Sequence, residues 1–314
     1  MTHSQGSEFI DYRSGQLHLR VLIPKESPKG VVLMVHGAMS NGRVFYSSGG
    51  RGLGCYLADQ GYQVYVLDCY GHGQSHPPLA HREEHGQYEV IHEQLPLVHK
   101  LLLERHHQPV HWVGHSWGGV LMIAALARYP SLLAQIPTLT LFASKRTVRS
   151  WSSERLLKIE LAWKRLFPWL GQKLGYLPLQ RWRVGMDDQS TRFLMDSLPW
   201  ISDAHWLDEM DGFDYGEAAR ELVAQGRWPA TWFLAGAGDK ALGNPRDVKD
   251  LMQECGLDGM ARYQVLGRRQ GWRRDYDHAG ILTHRDAAHE LYPDVLSWLQ
   301  SPQWRADTPA GSQG

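Results

Sequence analysis

Cysteine is scarce in this chain: three residues in 314, namely Cys55, Cys69 and Cys255. The number is odd and no two stand as CxxC, so neither a disulfide framework nor a zinc site is indicated. They read as reduced thiols of a cytoplasmic protein. An excess of one charge is lacking too, since 33 basic residues face 33 acidic ones. A neutral chain offers no basic footprint for nucleic acid or an anionic membrane. Long hydrophobic runs are missing. The longest apolar stretch near the start, residues 31–35, is far too short to cross a bilayer. The opening MTHSQGSEFIDYRSG has neither the basic nor the apolar region of a signal peptide.

Several cofactor signatures are absent as well. Histidines are plentiful at 17, but none stands in HExxH. His92 with His99, and the group His106, His107 and His111, match no known ligand spacing, so no metal is expected. The glycine-rich SSGGRGLG at 47–54 spells neither GxxxxGK[ST] nor a GxGxxG that follows a strand. Phosphate or dinucleotide binding is therefore not expected, and no cofactor is implied.

What is present is an alternation. Residues 16–24 alternate apolar and polar, as in a half-buried strand. Residues 31–36 are continuously apolar and suit a strand buried on both faces. A helix is expected over 51–60 with Gly61 as its stop, then a strand over 62–70. Helical periodicity follows at 89–105, a short strand at 110–113, a helix at 117–128 and a strand at 138–143. This order predicts a parallel sheet covered by helices on both faces. It breaks over 145–228, where helical stretches at 153–167 and 217–225 occur with no clear strand. It resumes with a strand at 230–235, a helix at 245–255, a strand at 262–266 and a helix at 285–299. The expectation is one α/β domain formed by residues 1–145 and 229–301, interrupted by a mostly helical insertion at 146–228. The polar tail at 302–314 is expected to be disordered.

Residues 110–120 read VHWVGHSWGGV and contain G-x-S-x-G as Gly114, His115, Ser116, Trp117 and Gly118. A strand leads in and a helix leads out, the context this motif requires. Glycines two residues either side of the serine let a sharp, strained turn pass close to neighbouring backbone. The turn lifts the hydroxyl above the sheet edge. It also puts the N–H of Trp117 at a helix N-terminus, facing any developing negative charge.

On these residues the chain resembles the α/β-hydrolase superfamily, from about Gly30 to Gln300 apart from the insertion. It is most similar to the monoglyceride-lipase-like and serine-aminopeptidase-like branch. The resemblance implies an α/β-hydrolase fold, a mostly parallel central sheet with a helical cap. It implies a second oxyanion donor after the strand VVLMVHGAMS, the N–H of Ala38, with Met39 as the alternative. His36 then reads as a structural residue bonding its own loop. The acid follows a strand beyond the insertion, where TWFLAGAGDKALG supplies Asp239. A second family position follows the strand at 138–143, but Ser144 and Lys145 offer no carboxylate there. Asp208, Asp211 and Asp214 read as solvated or capping charges. The base comes last: His278 is followed by Ala279, Gly280, Ile281 and Leu282 and a helix closing in Trp298 and Leu299. His284, six residues on, reads as a helix N-terminal neighbour. The DCYGHGQSHP loop at 68–77 resembles a structural D-x-x-G-x-G-x-S element, with Tyr70 where relatives often carry arginine.

The insertion carries Trp151, Trp163, Trp169, Trp182, Trp200 and Trp206, enough for a thin core of its own and part of an apolar pocket above Ser116. Arg146, Arg149, Lys158, Lys164 and Arg165 read as a solvated basic face. The expected reaction is hydrolysis of a carboxylic ester with an apolar group, lipid-like or monoacylglycerol-like, through an acyl-enzyme on Ser116. Thioester, amide or carbon–carbon hydrolysis and acyl transfer would use the same residues. HGAMS stands where proline iminopeptidases carry HGGPG. Ser116 excludes the aspartate nucleophile of haloalkane dehalogenases. A non-catalytic binding protein of this fold would be expected to have lost a member of the set. Oligomeric state is not legible.

Overall fold

The computed structural model describes residues 2–79, 85–202 and 205–302. Apart from Pro302, the tail expected to be disordered lies outside the described residues. The strands are β1 (Ser4–Tyr12), β2 (Gly15–Ile23), β3 (Gly30–Val35), β4 (Tyr62–Asp68), β5 (Val110–His115), β6 (Thr138–Phe142), β7 (Tyr176–Leu177), β8 (Gln189–Ser190), β9 (Ala230–Gly236) and β10 (Arg262–Leu266). Eight of them form one sheet in the order β1-β2-β4-β3-β5-β6-β9-β10. From β4 to β10 neighbours run parallel, and β2 is antiparallel to both β1 and β4.

Period-two alternation puts Val31, Leu33 and Val35 of β3 into one core cluster and Val32 and Met34 into the other. All five are fully buried, which is why this strand reads as an unbroken apolar run. The helices Leu95–His106, Trp117–Arg128, Tyr215–Ala224 and Pro245–Glu254 pack their apolar faces into the first cluster. Leu53–Asp59 and Tyr292–Gln300 cover the second. Among the described residues no helix is long and apolar enough to cross a membrane.

Chain order along the sheet reverses at β3: β4 lies on one side and β5 on the other. Ligands of open parallel sheets bind at such a switch point, beyond the carboxyl ends of the strands. The register pairs Val35 with Gly114, so the loops leaving β3 and β5 emerge side by side.

Three elements differ from the sequence expectation. The edge strand β1 is formed by a polar stretch whose side chains are mostly exposed or half-buried, so it carries no apolar signal. The region between β6 and β9 includes the two-residue antiparallel pair β7–β8, too short to show periodicity. The last helix is three pieces, Gly280–Thr283, Arg285–Glu290 and Tyr292–Gln300. His284 is extended at ψ 139° between the first two, and Pro293 stands in the first turn of the third. Elsewhere in the β6–β9 region, helix runs over residues 153–174, with Leu156–Leu166 wound in wider i→i+5 turns. A small cluster of Phe167, Leu177, Leu179 and Leu194 forms its own thin core.

Candidate active site

Ser116 sits between β5 and the helix Trp117–Arg128 at φ 54°, ψ −127°. A non-glycine residue there costs on the order of 1–3 kcal/mol and persists only where its surroundings hold it. They do: Ser116 N–H donates to the Phe142 carbonyl of β6 at 2.7 Å. The glycines of the motif are close-approach positions. A Cβ on Gly114 would stand 2.5 Å from Gly119 Cα, and one on Gly118 2.2 Å from the His36 carbonyl. Gly37 matters as much, because a Cβ there would lie 2.7 Å from Ser116 Cβ.

Asp239 follows β9 and His278 follows β10, far apart in the chain and adjacent at the same sheet edge. Gly236 and Gly238 let the two loops touch, and Gly238 N–H donates to the Tyr276 carbonyl at 2.8 Å. His278 Nδ1 lies 2.6 Å from Asp239 Oδ2, and its Nε2 2.9 Å from Ser116 Oγ. A carboxylate can only accept, so Nδ1 carries the proton and Nε2 presents a lone pair to the serine hydroxyl. Asp239 Oδ1 also accepts from Leu242 N–H at 2.9 Å. Burial by itself would raise this carboxyl. The His278 hydrogen bond and charge, with the Gly243 and Leu242 amides, outweigh it and hold the group at about 2.

His115, the residue before the serine, donates from Nε2 to the His278 carbonyl at 3.0 Å. Burial, then the nearby His278 charge, push its imidazole down to about 3, so it stays neutral. Sequence reasoning passed it over, since a variable position inside the motif carries no signal of its own.

The structure separates the two amides after His36. Met39 N–H donates to Gln189 Oε1 at 2.8 Å and is occupied. The amides of Ala38 and Trp117 meet no acceptor among the described residues. Met39 carbonyl accepts from Met186 and Asp187, and Asp187 Oδ2 accepts from Asn41 at 2.9 Å and Gly73 N–H at 2.6 Å. Residues 186–189 are thereby stitched onto the loops of the sheet edge.

His36 donates from Nδ1 to the Gly37 carbonyl and accepts Cys69 N–H, holding its own loop. Asp68 accepts from Gly42 and Gln74 amides and from His18, so the 68–77 loop is structural around it. His284 caps Arg285–Glu290 by accepting Asp286 N–H at Nδ1. Asp214 caps Tyr215–Ala224, and Asp211 pairs with Arg128. Asp208 departs from expectation: it is buried and bonded to Tyr215 and His92. Arg146 departs too, buried against Glu254 and the Trp200 carbonyl rather than solvated. Trp200 and Trp206 are core residues, whereas Trp151 and Trp169 are exposed. All three cysteines are free and buried. Among the described residues no cluster of histidine, cysteine and carboxylate side chains is placed to hold a metal.

A cavity of about 480 Å³ opens over Ser116. Ala38, Ser116, Trp117 and His278 form its floor, and Met39, Val44, Ile159, Trp163 and Phe167 are among its apolar walls.

Sheet order, strand directions and helices on both faces make this an α/β-hydrolase fold. Residues 26–263 match the family described as serine aminopeptidase, S33, and the chain belongs to that hydrolase family. Among solved structures it is similar to a soluble variant of monoglyceride lipase from Saccharomyces cerevisiae bound to a substrate analog. The TM-score is 0.66 at 13% identity, over 96% of each chain. It is also similar to carboxylesterase CesB from Bacillus subtilis, with a TM-score of 0.58 at 13% identity, over 94% of this chain and 92% of that one. A thioesterase domain from the curacin biosynthetic pathway gives 0.56 at 20% identity, over 94% and 99%. Identities this low speak for the fold alone. No curated protein matches.

Proposed function

We propose that this chain is a serine hydrolase that cleaves a carboxylic ester through an acyl-enzyme on Ser116. The observation that carries the reading is the hydrogen-bonded chain Asp239–His278–Ser116 beside two unoccupied amides. His278 Nε2 takes the Ser116 proton as Oγ attacks the carbonyl carbon. The N–H groups of Ala38 and Trp117 hold the oxyanion, in a place where losing one donor typically costs about a hundred- to a thousandfold in rate. His278 then gives its proton to the leaving alcohol, and water repeats the sequence on the acyl-enzyme. Asp239, ionised across the neutral range, orients the imidazole and stabilises its cationic form without taking the proton.

Residues 146–228 act as a cap whose apolar walls take the substrate's hydrocarbon part. The similarity to a lipase and a carboxylesterase agrees with an ester. Cleavage at a free amino terminus fits less well. An α-ammonium needs a carboxylate near it, and the cavity lining contains no Asp or Glu.

A fluorophosphonate probe tests the nucleophile: it labels the wild type and does not label Ser116→Ala. p-Nitrophenyl ester hydrolysis is lost in His278→Ala and retained in His284→Ala. Labelling that persists in Ser116→Ala, or loss of activity only in His284→Ala, overturns the assignment.

A further inference from the structure

The charged residues lining the cavity are all basic: Lys145, Lys158 and Arg183. Lys158 is half exposed and already paired with Glu154 at 2.6 Å. Arg183 is exposed. Lys145 is different. It is 6% exposed, and among the described residues it makes no hydrogen bond and no ion pair. Its ammonium lies over the Trp117 ring, 6.0 Å from the centroid, and Trp117 is the residue next to Ser116.

The position is rigidly held. Ala143, in the left-handed region at φ 51°, donates its N–H to the Leu234 carbonyl at 2.7 Å. Ser144 packs so tightly on Gly119 that a Cβ there would fall 2.2 Å from its Oγ. Lys145 therefore projects from a fixed turn at the same sheet edge as the serine. A buried charge is ordinarily paired, because leaving water without a partner is expensive. Burial pushes this ammonium down to about 8, and the charges of Asp247 and Asp239 offset that only in part.

We infer that Lys145 is a substrate-binding residue, and that the ester this site takes carries one carboxylate on an otherwise apolar body. The carboxylate supplies the direct ion-pair partner that the fold omits. One buried cation balances one negative charge, and the other two lining cations, Lys158 and Arg183, lie exposed, so a phosphate dianion would find no buried partner for its second charge. The apolar walls account for the rest of the molecule. The substrate class is thus the half-ester of a dicarboxylic acid, or an ester of similar layout. The inference rests on the ester-hydrolase reading for its chemistry, and its test needs no turnover.

The test is binding of monomethyl suberate and dimethyl suberate, matched in length, to Ser116→Ala at pH 7 by calorimetry. The expected result is at least tenfold tighter binding of the mono-anion. In Ser116→Ala with Lys145→Met the two bind alike. In Ser116→Ala with Lys145→Arg the preference returns, which separates lost charge from a disturbed fold. Equal binding of the two in Ser116→Ala, binding of neither, or a preference that survives Lys145→Met overturns the inference. Fluorophosphonate labelling of Ser116 is scored separately in the wild type, so the catalytic reading and the anion preference stand or fall independently.

Discussion

Replacing Lys145 by methionine removes an ammonium that the fold buries without an ion-pair partner. The structure gives the size of the effect. Burial lowers this group from 10.5 to about 8. Each decade of proton affinity is worth roughly 1.4 kcal/mol, so the charged lysine costs the folded state about 3 kcal/mol relative to the unfolded chain. The sign follows from proton counting. Between pH 8 and 10.5 the unfolded chain binds more protons at this site than the folded one, so wild-type stability rises with pH over that window. Below about pH 8 the full cost is present. Lys145→Met, which keeps the apolar stem, is therefore more stable than the wild type at pH 7 by about 3 kcal/mol. The advantage shrinks above pH 8 and is gone near 10.5. Urea unfolding followed by tryptophan fluorescence at pH 7, 8, 9 and 10 measures it. Titrations common to both proteins cancel in the difference. A variant no more stable than the wild type at pH 7, or a difference that stays flat with pH, refutes the claim that the charge is buried and unpaired. Stability given up at a cavity wall is the pattern expected where a site is built for a ligand.

Two further outcomes follow from the site geometry. Asp239→Asn keeps an acceptor for the Leu242 amide but turns an amide N–H₂ toward His278 Nδ1. That favours the tautomer with Nε2 protonated, and kcat is expected to fall by roughly 10⁴ with the fold intact; near-normal turnover in a p-nitrophenyl ester assay would assign the acid elsewhere. Gly37→Ala puts a methyl 2.7 Å from Ser116 Cβ and must displace Ser116 or the Ala38 amide. A displacement of about 1 Å can cost on the order of 10²-fold in rate, so kcat falls at least that far while circular dichroism is unchanged. Wild-type kinetics would show that the loop has room the structure denies it.

The sequence alone determined the parts of this protein that depend on a few neighbouring residues. The turn around Ser116 is legible because Gly114 and Gly118 are demanded by contacts at 2.5 and 2.2 Å, and no other residue meets that requirement. The buried strand β3 is legible because burial on both faces writes an unbroken apolar run. Asp239 and His278 could be nominated from chain order once the resemblance was recognised, and His284 could be set aside as a helix cap. The tertiary structure decided whatever depends on which distant groups meet. The Met39 amide is occupied only because Gln189, 150 residues on, reaches it at 2.8 Å. The edge strand β1 exists through its pairing with β2, since its own side chains bury little. Asp208 and Arg146 look like solvated charges in the chain and become buried partners of His92 and Glu254 in the fold. Lys145 reads in the sequence only as a missing carboxylate. Its isolation is a property of packing: no ion-pair partner among the described residues, an indole beneath it and a cavity in front. Local sterics are written in local sequence, while desolvation and pairing are properties of the surroundings, and those exist only once the chain has folded.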